Sequence, residues 1–393
     1  MKKSLFTLAL AAVLTLSVFA ACTPTPHVGV DSSALEPFVI GGIGPLTEDR
    51  AQYGLSVRNG AQIAVNEINA TGGVNGFRLV LNFQDSQGDP ATALSVYQKL
   101  LDNDMKVLLG GVFSQETEAL LPALVQDGLL TLTPTASRVT AIGESGTVFR
   151  VCFDDARLGS MSANFIADYR LASHVAVVYS DTVYGGKEQA DAFLAAWQTK
   201  GTADVYRVSS EGPRDFSVIV NDLKKKQTKF LFLALSPEES KLFLTQFEWD
   251  GITSDVKILG ASGLEGLLEQ SQAPTMLEGM FVATTFAADS ESALVQNFVT
   301  SYQAEYETLP DRYAADAYDA VYAIAEAIKR AGITPENVDN DDFNRKIISA
   351  MTKIEVNGLT GTMSWTANGE TTRAATVKII RNGKYQTFSR DGA

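Results

Sequence analysis

The chain has 393 residues, with 46 aspartates and glutamates against 32 lysines and arginines, which gives a formal net charge of −14. This acidic balance excludes nucleic-acid binding, because a nucleic-acid backbone is recognised by a basic surface. The length is sufficient for two domains. Two cysteines and two histidines occur in the whole chain, and their spacing does not fit a metal site.

The first 21 residues have the pattern of a secretory signal. Two lysines and an apolar run lead to Ala20 and Ala21, which stand directly before Cys22. The run is too short to span a membrane. The ending FAAC resembles a bacterial lipobox, in which the cysteine is acylated and becomes the mature N-terminus. We therefore expect residues 1–21 to be removed, Cys22 to be lipidated and residues 22–36 to form a flexible tether.

After the tether, predicted strands and helices alternate. A strand at 38–43 precedes a long amphipathic helix that ends at a Gly-Gly pair. The next strand, at 78–83, leads to Asp89-Pro90, where the aspartate can cap a helix and the proline can occupy its first position. Helix 91–101 then returns the chain to a strand. This order predicts a parallel sheet with right-handed crossovers.

Two strands of this first half end in polar loops. The strand at 107–109 ends in two glycines, and the next helix begins near Ser114. The strand at 129–133 ends in a turn that contains Ser137. A helix N-terminus favours a carboxylate or phosphate, and ligands bind at the carboxyl ends of parallel strands. Each serine alone could have a purely structural role, Ser114 as a helix cap and Ser137 as part of a turn. Two adjacent strand ends that both carry such residues favour a binding site.

The same alternation restarts in the second half. Strands are predicted at 175–179, 205–208, 230–235, 256–259 and 280–284, and the longest later helices at 293–306 and 313–331. Two strand-helix runs of similar length predict an α/β fold with two doubly wound lobes. Because helices outnumber strands after residue 284, some must return to pack on the first lobe, which predicts a discontinuous domain. The end, 361–388, has a β-like pattern with a type I′ turn at Asn382-Gly383.

Motifs for catalysis are weak. The segment GGIGPLT has Thr47 where a dinucleotide-binding fingerprint requires its third glycine, and GGKE at 185–188 lacks the spacing of a phosphate-binding loop. Neither a G-x-S-x-G nor an H-E-x-x-H motif occurs. Asp154 and Asp155 are a carboxylate pair, but sequence neighbours cannot flank one substrate as acid and base without another group. We expect no enzyme, no catalytic residue, no metal and no cofactor.

Several longer stretches carry a family resemblance. They are GPLTEDRAQYG, NGAQIAVNEINATGGVNG, GGVFSQETEALLPAL, LLTLTPTAS, YSDTVYGGK and RYAADAYDAVYAIAEAI. Together they resemble the substrate-binding proteins of bacterial ABC importers with the type I periplasmic binding protein fold, in the branched-chain amino acid receptor family. The resemblance implies two doubly wound parallel-sheet lobes joined by a three-strand hinge. It places the first lobe at 37–154 plus 286–357 and the second at 155–285 plus 358–393.

The resemblance also implies a ligand site in the cleft between the lobes. Ser114, a backbone group near Ala136 and Ser137 would hold a carboxylate of the ligand. Tyr53 and Tyr184 would pack on its side chain from opposite lobes.

The partner of a ligand ammonium is less directly implied. Ser262 stands in the loop GASG, where amino-acid binders of the family carry an acid for the ammonium. An ammonium buried without a counter-charge costs too much free energy. Asp155, near the first crossing between the lobes, is therefore the candidate partner, although it could instead cap the helix that begins near Arg157.

The resemblance implies an exported, lipid-anchored monomer on the cell envelope. It would bind a branched-chain or other small amino acid and deliver it to an ABC permease and its ATPase. A receptor that signals to a sensor kinase or chemoreceptor would close on its ligand in the same way. The ligand could also be an amide or a short carboxylate, because contacts around a pocket vary freely on one fold.

Overall fold

The computed structural model of the protein describes residues 32–48, 50–138, 142–181, 185–209, 215–249, 256–261, 263–264, 267–270, 277–373 and 376–388. The first elements are β1 (Glu36–Gly44), α1 (Ala51–Ala70), β2 (Phe77–Asp85), α2 (Pro90–Asp102), β3 (Val107–Gly110), α3 (Ser114–Asp127), β4 (Thr131–Thr133), α4 (Ile142–Ser145) and β5 (Val148–Arg150). Parallel pairing joins these strands in the order β2-β1-β3-β4-β5.

A second sheet is built from the next part of the chain. Its elements are α5 (Asp155–Asp168), β6 (His174–Ser180), α6 (Gly186–Trp197), β7 (Thr202–Val208), α7 (Ser217–Lys225), β8 (Phe230–Ala234), α8 (Pro237–Trp249), β9 (Lys257–Gly260), α9 (Leu267–Gln270) and β10 (Phe281–Thr284). The remaining elements are α10 (Ala293–Tyr306), α11 (Arg312–Ala331), α12 (Phe343–Met351), β11 (Val356–Gly358), β12 (Gly361–Met363), β13 (Thr376–Arg381) and β14 (Lys384–Thr387). The sheet order is β14-β13-β10-β9-β8-β6-β7, with β13 and β14 antiparallel to their neighbours.

Both faces of each sheet are covered by apolar packing. Along β3, Val107 and Leu109 belong to one buried cluster and Leu108 to another. Along β8, Phe232 belongs to one buried cluster and Leu231 to another. Since strand side chains alternate between faces, each sheet has a core on both sides. The prediction of two doubly wound lobes is confirmed, and Asp89 caps α2 as expected, accepting the Thr92 N–H at 2.7 Å.

The chain crosses between the lobes more than once. Val151 packs in the core of the first lobe and Phe153 in that of the second, which places one crossing between them. Phe281 packs in the second core and Phe286 in the first, which places another near residue 285. Residues of α10, α11 and α12 pack in the core of the first lobe, and we propose that this lobe is discontinuous.

Core packing of residues 359–377 bears on the position of the last crossing. Leu359, Met363 and Trp365 all pack in the first core, although the predicted limit of that lobe was residue 357. The indole N–H of Trp365 donates to the Arg150 carbonyl at 2.8 Å, which ties this segment to β5. Val377 packs in the second core. We propose that the third crossing lies between Trp365 and Val377 rather than near residue 358.

Helices α1 and α11 approach closely at Gly60. A Cβ atom at this position would lie 2.0 Å from the Ala314 carbonyl oxygen. Alanine is favoured over glycine in a helix by about 1 kcal/mol, but the atom it would meet belongs to the backbone of a packed helix and cannot move aside alone.

Gly60→Ala should therefore destabilise the protein, because overpacking costs about 1–3 kcal/mol in a close-packed core. Urea unfolding followed by circular dichroism measures the free energy of unfolding. Gln52→Ala, at an exposed position of the same helix, is the matched control and should leave stability nearly unchanged. Equal stability of the two variants would show that α1 and α11 separate at Gly60 without cost.

Candidate functional site

Hydrogen bonds join the loops that follow β3 and β4. The two strands are parallel neighbours, with Leu108 opposite Thr131. The hydroxyl of Thr133 donates to the Gly111 carbonyl at 3.0 Å, and that of Thr135 donates to the Val112 carbonyl at 2.7 Å. Both strand ends therefore meet at one edge of the sheet, as predicted.

A pocket opens beside these loops. Its lining consists of Arg50, Val112, Phe113, Ser114, Gln115, Thr135, Ser137, Arg138, Arg312 and Tyr313. The structure thus brings Ser114 and Ser137 together, while Ala136 is fully buried in the lobe core and donates its N–H to the Thr133 hydroxyl at 3.1 Å. The buried ring of Tyr53 packs beside the pocket against two of its lining rings, with centroid distances of 5.9 Å and 5.0 Å.

Ser114 is the first residue of α3 and does not cap it. Phe113 occupies the N-cap position, and the Glu116 carboxylate accepts its N–H at 2.8 Å. The Ser114 hydroxyl oxygen instead accepts the Arg138 N–H at 3.1 Å, from the loop after β4. This bond uses a lone pair, so the Ser114 hydroxyl keeps a proton that it can donate into the pocket.

Ser137 is tied to the second lobe. Its hydroxyl donates to Oδ2 of Asp155 at 2.8 Å, and the Gln189 amide donates to Oδ1 at 2.8 Å. The buried Arg150 guanidinium donates to the Ser137 carbonyl and so fixes the turn from behind. Because a serine hydroxyl has a single proton, Ser137 in this arrangement has none left for another acceptor.

Asp155 is a buried carboxylate at the start of α5. It is 2% exposed, and burial raises its pKa to about 6 although the bonds from Gln189 and Ser137 oppose the shift. The cap of the helix is Asp154, which accepts the Arg157 N–H at 2.7 Å. The alternative that Asp155 caps this helix is therefore wrong. A Cβ on Gly185 would lie 2.0 Å from its Oδ2, so only glycine fits there.

A second hydrogen bond joins the lobes. The Tyr53 hydroxyl on α1 donates to Oε1 of Glu238 on α8 at 3.3 Å. Together with the bond between Ser137 and Asp155, it holds the lobes in contact across the cleft. Tyr184, Ser262 and Cys22 lie outside the described residues, and their predicted roles stay predictions.

Three arginines of the pocket were missed by the sequence reasoning. The Arg50 guanidinium lies over the Phe113 ring, 4.2 Å from its centroid. Arg312 lies over the Tyr313 ring at 4.7 Å and pairs with Asp316 at 3.0 Å. Arg50 and Arg138 do stand within or beside the motifs GPLTEDRAQYG and LLTLTPTAS, and this adjacency was the available signal.

The described residues show neither a metal site nor a membrane span. In that part of the chain, no three histidine, cysteine, aspartate or glutamate side chains are arranged to hold a metal ion. No helix of the same residues is both long and apolar enough to cross a bilayer.

Comparisons with known proteins agree with the fold. The family model for periplasmic binding proteins matches residues 37–384. The chain is 30% identical to a Leu/Ile/Val-binding protein homologue of Brucella melitensis, over 79% of this chain and 83% of the relative. It is 28% identical to a leucine-, isoleucine-, valine-, threonine- and alanine-binding protein of Pseudomonas aeruginosa, over 78% of this chain and 82% of the relative.

Solved structures show the same architecture. The substrate-binding protein of a branched-chain amino acid transporter from Streptococcus pneumoniae, in complex with isoleucine, has a TM-score of 0.76 at 25% identity, over 90% of this chain and 98% of the other. A solute-binding protein from Rhodopseudomonas palustris, in complex with 3,4-dihydroxybenzoic acid, has a TM-score of 0.77 at 20% identity, over 90% and 96%. The second likeness concerns the fold alone.

The buried Asp155 generates a pH-dependent prediction. Its folded pKa of about 6 lies above its unfolded value of about 3.9, so the folded state binds more protons between these pH values. Its contribution to stability is therefore favourable at low pH and is lost as pH rises from about 4 to 6. Asp155→Asn cannot ionise, and it should be more stable than the wild type at pH 7, by up to about 3 kcal/mol, with the difference vanishing near pH 4.

Thermal unfolding of the ligand-free protein between pH 4 and 8 measures this difference. Asp154→Asn is the matched control, because asparagine caps a helix about as well as aspartate. A stability gain for Asp155→Asn that does not change with pH would show that the carboxylate is not held in a costly environment.

Proposed function

This chain belongs to the periplasmic binding protein family, and we propose that it captures a small amino acid in the cleft between its lobes and delivers it to an ABC permease and its ATPase. The family consists of binding proteins, so the chain is a binder rather than an enzyme. The relatives named for leucine, isoleucine and valine support an amino acid as the ligand. The observation that carries the proposal is a pocket with hydroxyl and helix N–H donors whose Ser137 is joined to a buried carboxylate of the second lobe.

The carboxylate of the ligand would bind at the N-terminus of α3. The first N–H groups of a helix have no partners within it and favour an anion. Ser114 adds a hydroxyl proton, whereas Ser137 first has to release Asp155. The N–H of Ala136 is already used by Thr133. We therefore assign the main contact to Ser114.

The ammonium of the ligand would bind near Asp155. A buried carboxylate whose pKa is raised by desolvation gains most from a positive charge. The ammonium would also replace Ser137 as a hydrogen-bond donor to Asp155. That hydroxyl would then be free to turn towards the ligand carboxylate.

A thermal-shift screen of the twenty common amino acids first identifies a ligand, because a ligand at 100-fold over its Kd adds about 2.7 kcal/mol to the free energy of unfolding. The two assignments then predict different effects of two substitutions on the binding of that ligand. Ser114→Ala should weaken both that amino acid and its des-amino analogue by about ten- to a hundred-fold, because it removes a hydrogen bond to a charged group. Asp155→Asn should weaken the amino acid alone. Isothermal titration measures each Kd.

Ser95→Ala, at an exposed position of α2 outside the pocket, is the control and should leave both affinities unchanged. If no amino acid stabilises the protein, the amino-acid function is wrong. Equal loss of both ligands in Asp155→Asn would remove this residue from ammonium binding and leave the carboxylate contact standing.

We further propose that Cys22 is acylated and anchors the protein to the cell envelope. The support is the FAAC pattern at the end of the signal-like segment. An N-terminal diacylglyceryl group with a further acyl chain supplies the multiple chains that stable anchoring requires. The family is extracytoplasmic, which agrees with export.

Membrane fractionation in a bacterial host tests the anchor. The wild type should sediment with membranes and be extracted by detergent, whereas Cys22→Ser should be soluble or unprocessed. Cys152→Ser, at the buried second cysteine, is the control and should fractionate like the wild type. A wild type that is wholly soluble would contradict the lipoprotein proposal.

A further inference from the structure

The pocket has an excess of positive charge. Arg50, Arg138 and Arg312 line it, and the lining residues that the structure describes include no aspartate or glutamate. Arginine stays charged at any physiological pH. All three arginines of the lining belong to the first lobe.

Arg312 already shares a counter-charge. It pairs with Asp316 at 3.0 Å, and the same carboxylate pairs with Arg373 at 2.9 Å. The carboxylate of Asp316 is thus shared by two guanidinium groups.

The Arg50 guanidinium makes its direct contacts with neutral groups. It lies over the Phe113 ring at 4.2 Å and donates to the Gly88 carbonyl at 3.4 Å. Burial raises the pKa of Glu116 and the charge of Arg50 opposes this shift, but the Glu116 carboxylate is bonded to the Phe113 N–H and the Ser86 hydroxyl rather than to Arg50. Within the described residues, no carboxylate lies within 4.0 Å of the Arg50 or the Arg138 guanidinium.

The backbone of Arg138 is fixed at the pocket edge. Its N–H donates to the Ser114 hydroxyl at 3.1 Å, which places this residue beside the first turn of α3. A carboxylate bound at Ser114 would therefore lie close to Arg138. A ligand with one carboxylate can balance only one positive charge of the pocket.

An amino acid with a neutral side chain would leave positive charge in the cleft without a counter-charge. Its carboxylate would bind at α3 and its ammonium at Asp155, and Arg50 would then face an uncharged side chain in a closed cleft. Burying an unpaired charge is costly, whereas an arginine paired with a carboxylate makes strong, charge-assisted hydrogen bonds.

We propose that the ligand carries a second carboxylate, which binds between Arg50 and Arg138 while the first binds at the N-terminus of α3. The ligand class is a dicarboxylic amino acid. This inference rests on the proposed function, because it assigns the ligand of the same cleft.

Matched pairs of amino acids test the second carboxylate. L-aspartate, L-glutamate and L-2-aminoadipate are compared with L-2-aminobutyrate, L-norvaline and L-norleucine, which have the same carbon chains without the second acid. Isothermal titration of the purified protein should show at least one diacid binding tenfold or more tighter than its neutral counterpart. Higher ionic strength should weaken the diacid more than the neutral counterpart.

Substitution of the two arginines tests the location. Arg50→Gln should weaken the diacid by about ten- to a hundred-fold and change the neutral counterpart by less than about threefold, whereas Arg138→Gln should weaken both ligands and the diacid more. Arg50→Lys and Arg138→Lys should recover part of the affinity. Arg58→Gln removes the same charge from α1 outside the pocket lining and should change neither ligand. Thermal unfolding verifies that every variant is folded.

The outcomes separate this inference from the proposed function. If neutral amino acids bind as tightly as the diacids, or if folded Arg50→Gln and Arg138→Gln bind the diacid like the wild type, the second carboxylate is wrong and the amino-acid function stands. If glutarate binds as tightly as L-glutamate, the second carboxylate stands and the amino-acid assignment is wrong. If neither the diacids nor any common amino acid binds, both proposals are wrong.

Discussion

The carboxylate of Asp316 is the interaction on which both the hinge and the cleft depend. It is fully buried on α11 and pairs with Arg312 at 3.0 Å and with Arg373 at 2.9 Å. Removing one partner of a buried ion pair costs roughly 3–5 kcal/mol, because the remaining charge stays desolvated. Arg312 lines the ligand pocket, whereas Arg373 lies in the segment that leads to the third crossing. One carboxylate therefore connects a pocket residue to the segment that leads to the proposed third crossing.

The frame around this carboxylate is set by close helix approaches that only glycine permits. A Cβ on Gly60 would meet the Ala314 carbonyl at 2.0 Å, which fixes α1 against α11 in the first lobe. A Cβ on Gly159 would meet the Gln189 carbonyl at 2.0 Å, which fixes α5 against α6 in the second. The second approach has a direct chemical consequence, since it brings the Gln189 amide onto the carboxylate of Asp155. The close packing of α5 on α6 therefore also sets the hydrogen bonding of Asp155 in the site.

The sequence predicted the elements better than the contacts between them. Alternation and caps predicted two doubly wound lobes, because strand and helix periods are local properties. Asp155 shows the limit: it was considered as the cap of α5, and only the structure assigns the cap to Asp154, which has extended backbone angles (φ −73°, ψ 152°) and accepts the Arg157 N–H. We propose a later third crossing than the resemblance implied because Trp365 packs in the first core through contacts distant in sequence. The pocket arginines were missed because sequence does not give the direction of a loop side chain.

The two lobes present opposite charges to the cleft. Arg50, Arg138 and Arg312 belong to the first lobe, whereas Asp155 and Glu238, which bond to Ser137 and Tyr53 across the cleft, belong to the second. Closure removes water and strengthens each of these electrostatic interactions, but it also raises the cost of every charge left unpaired. A ligand with acidic groups at one end and an ammonium at the other offsets both sets of charges in one orientation. The fold supplies the closure, and the separation of charge between the lobes selects which solute makes closure favourable.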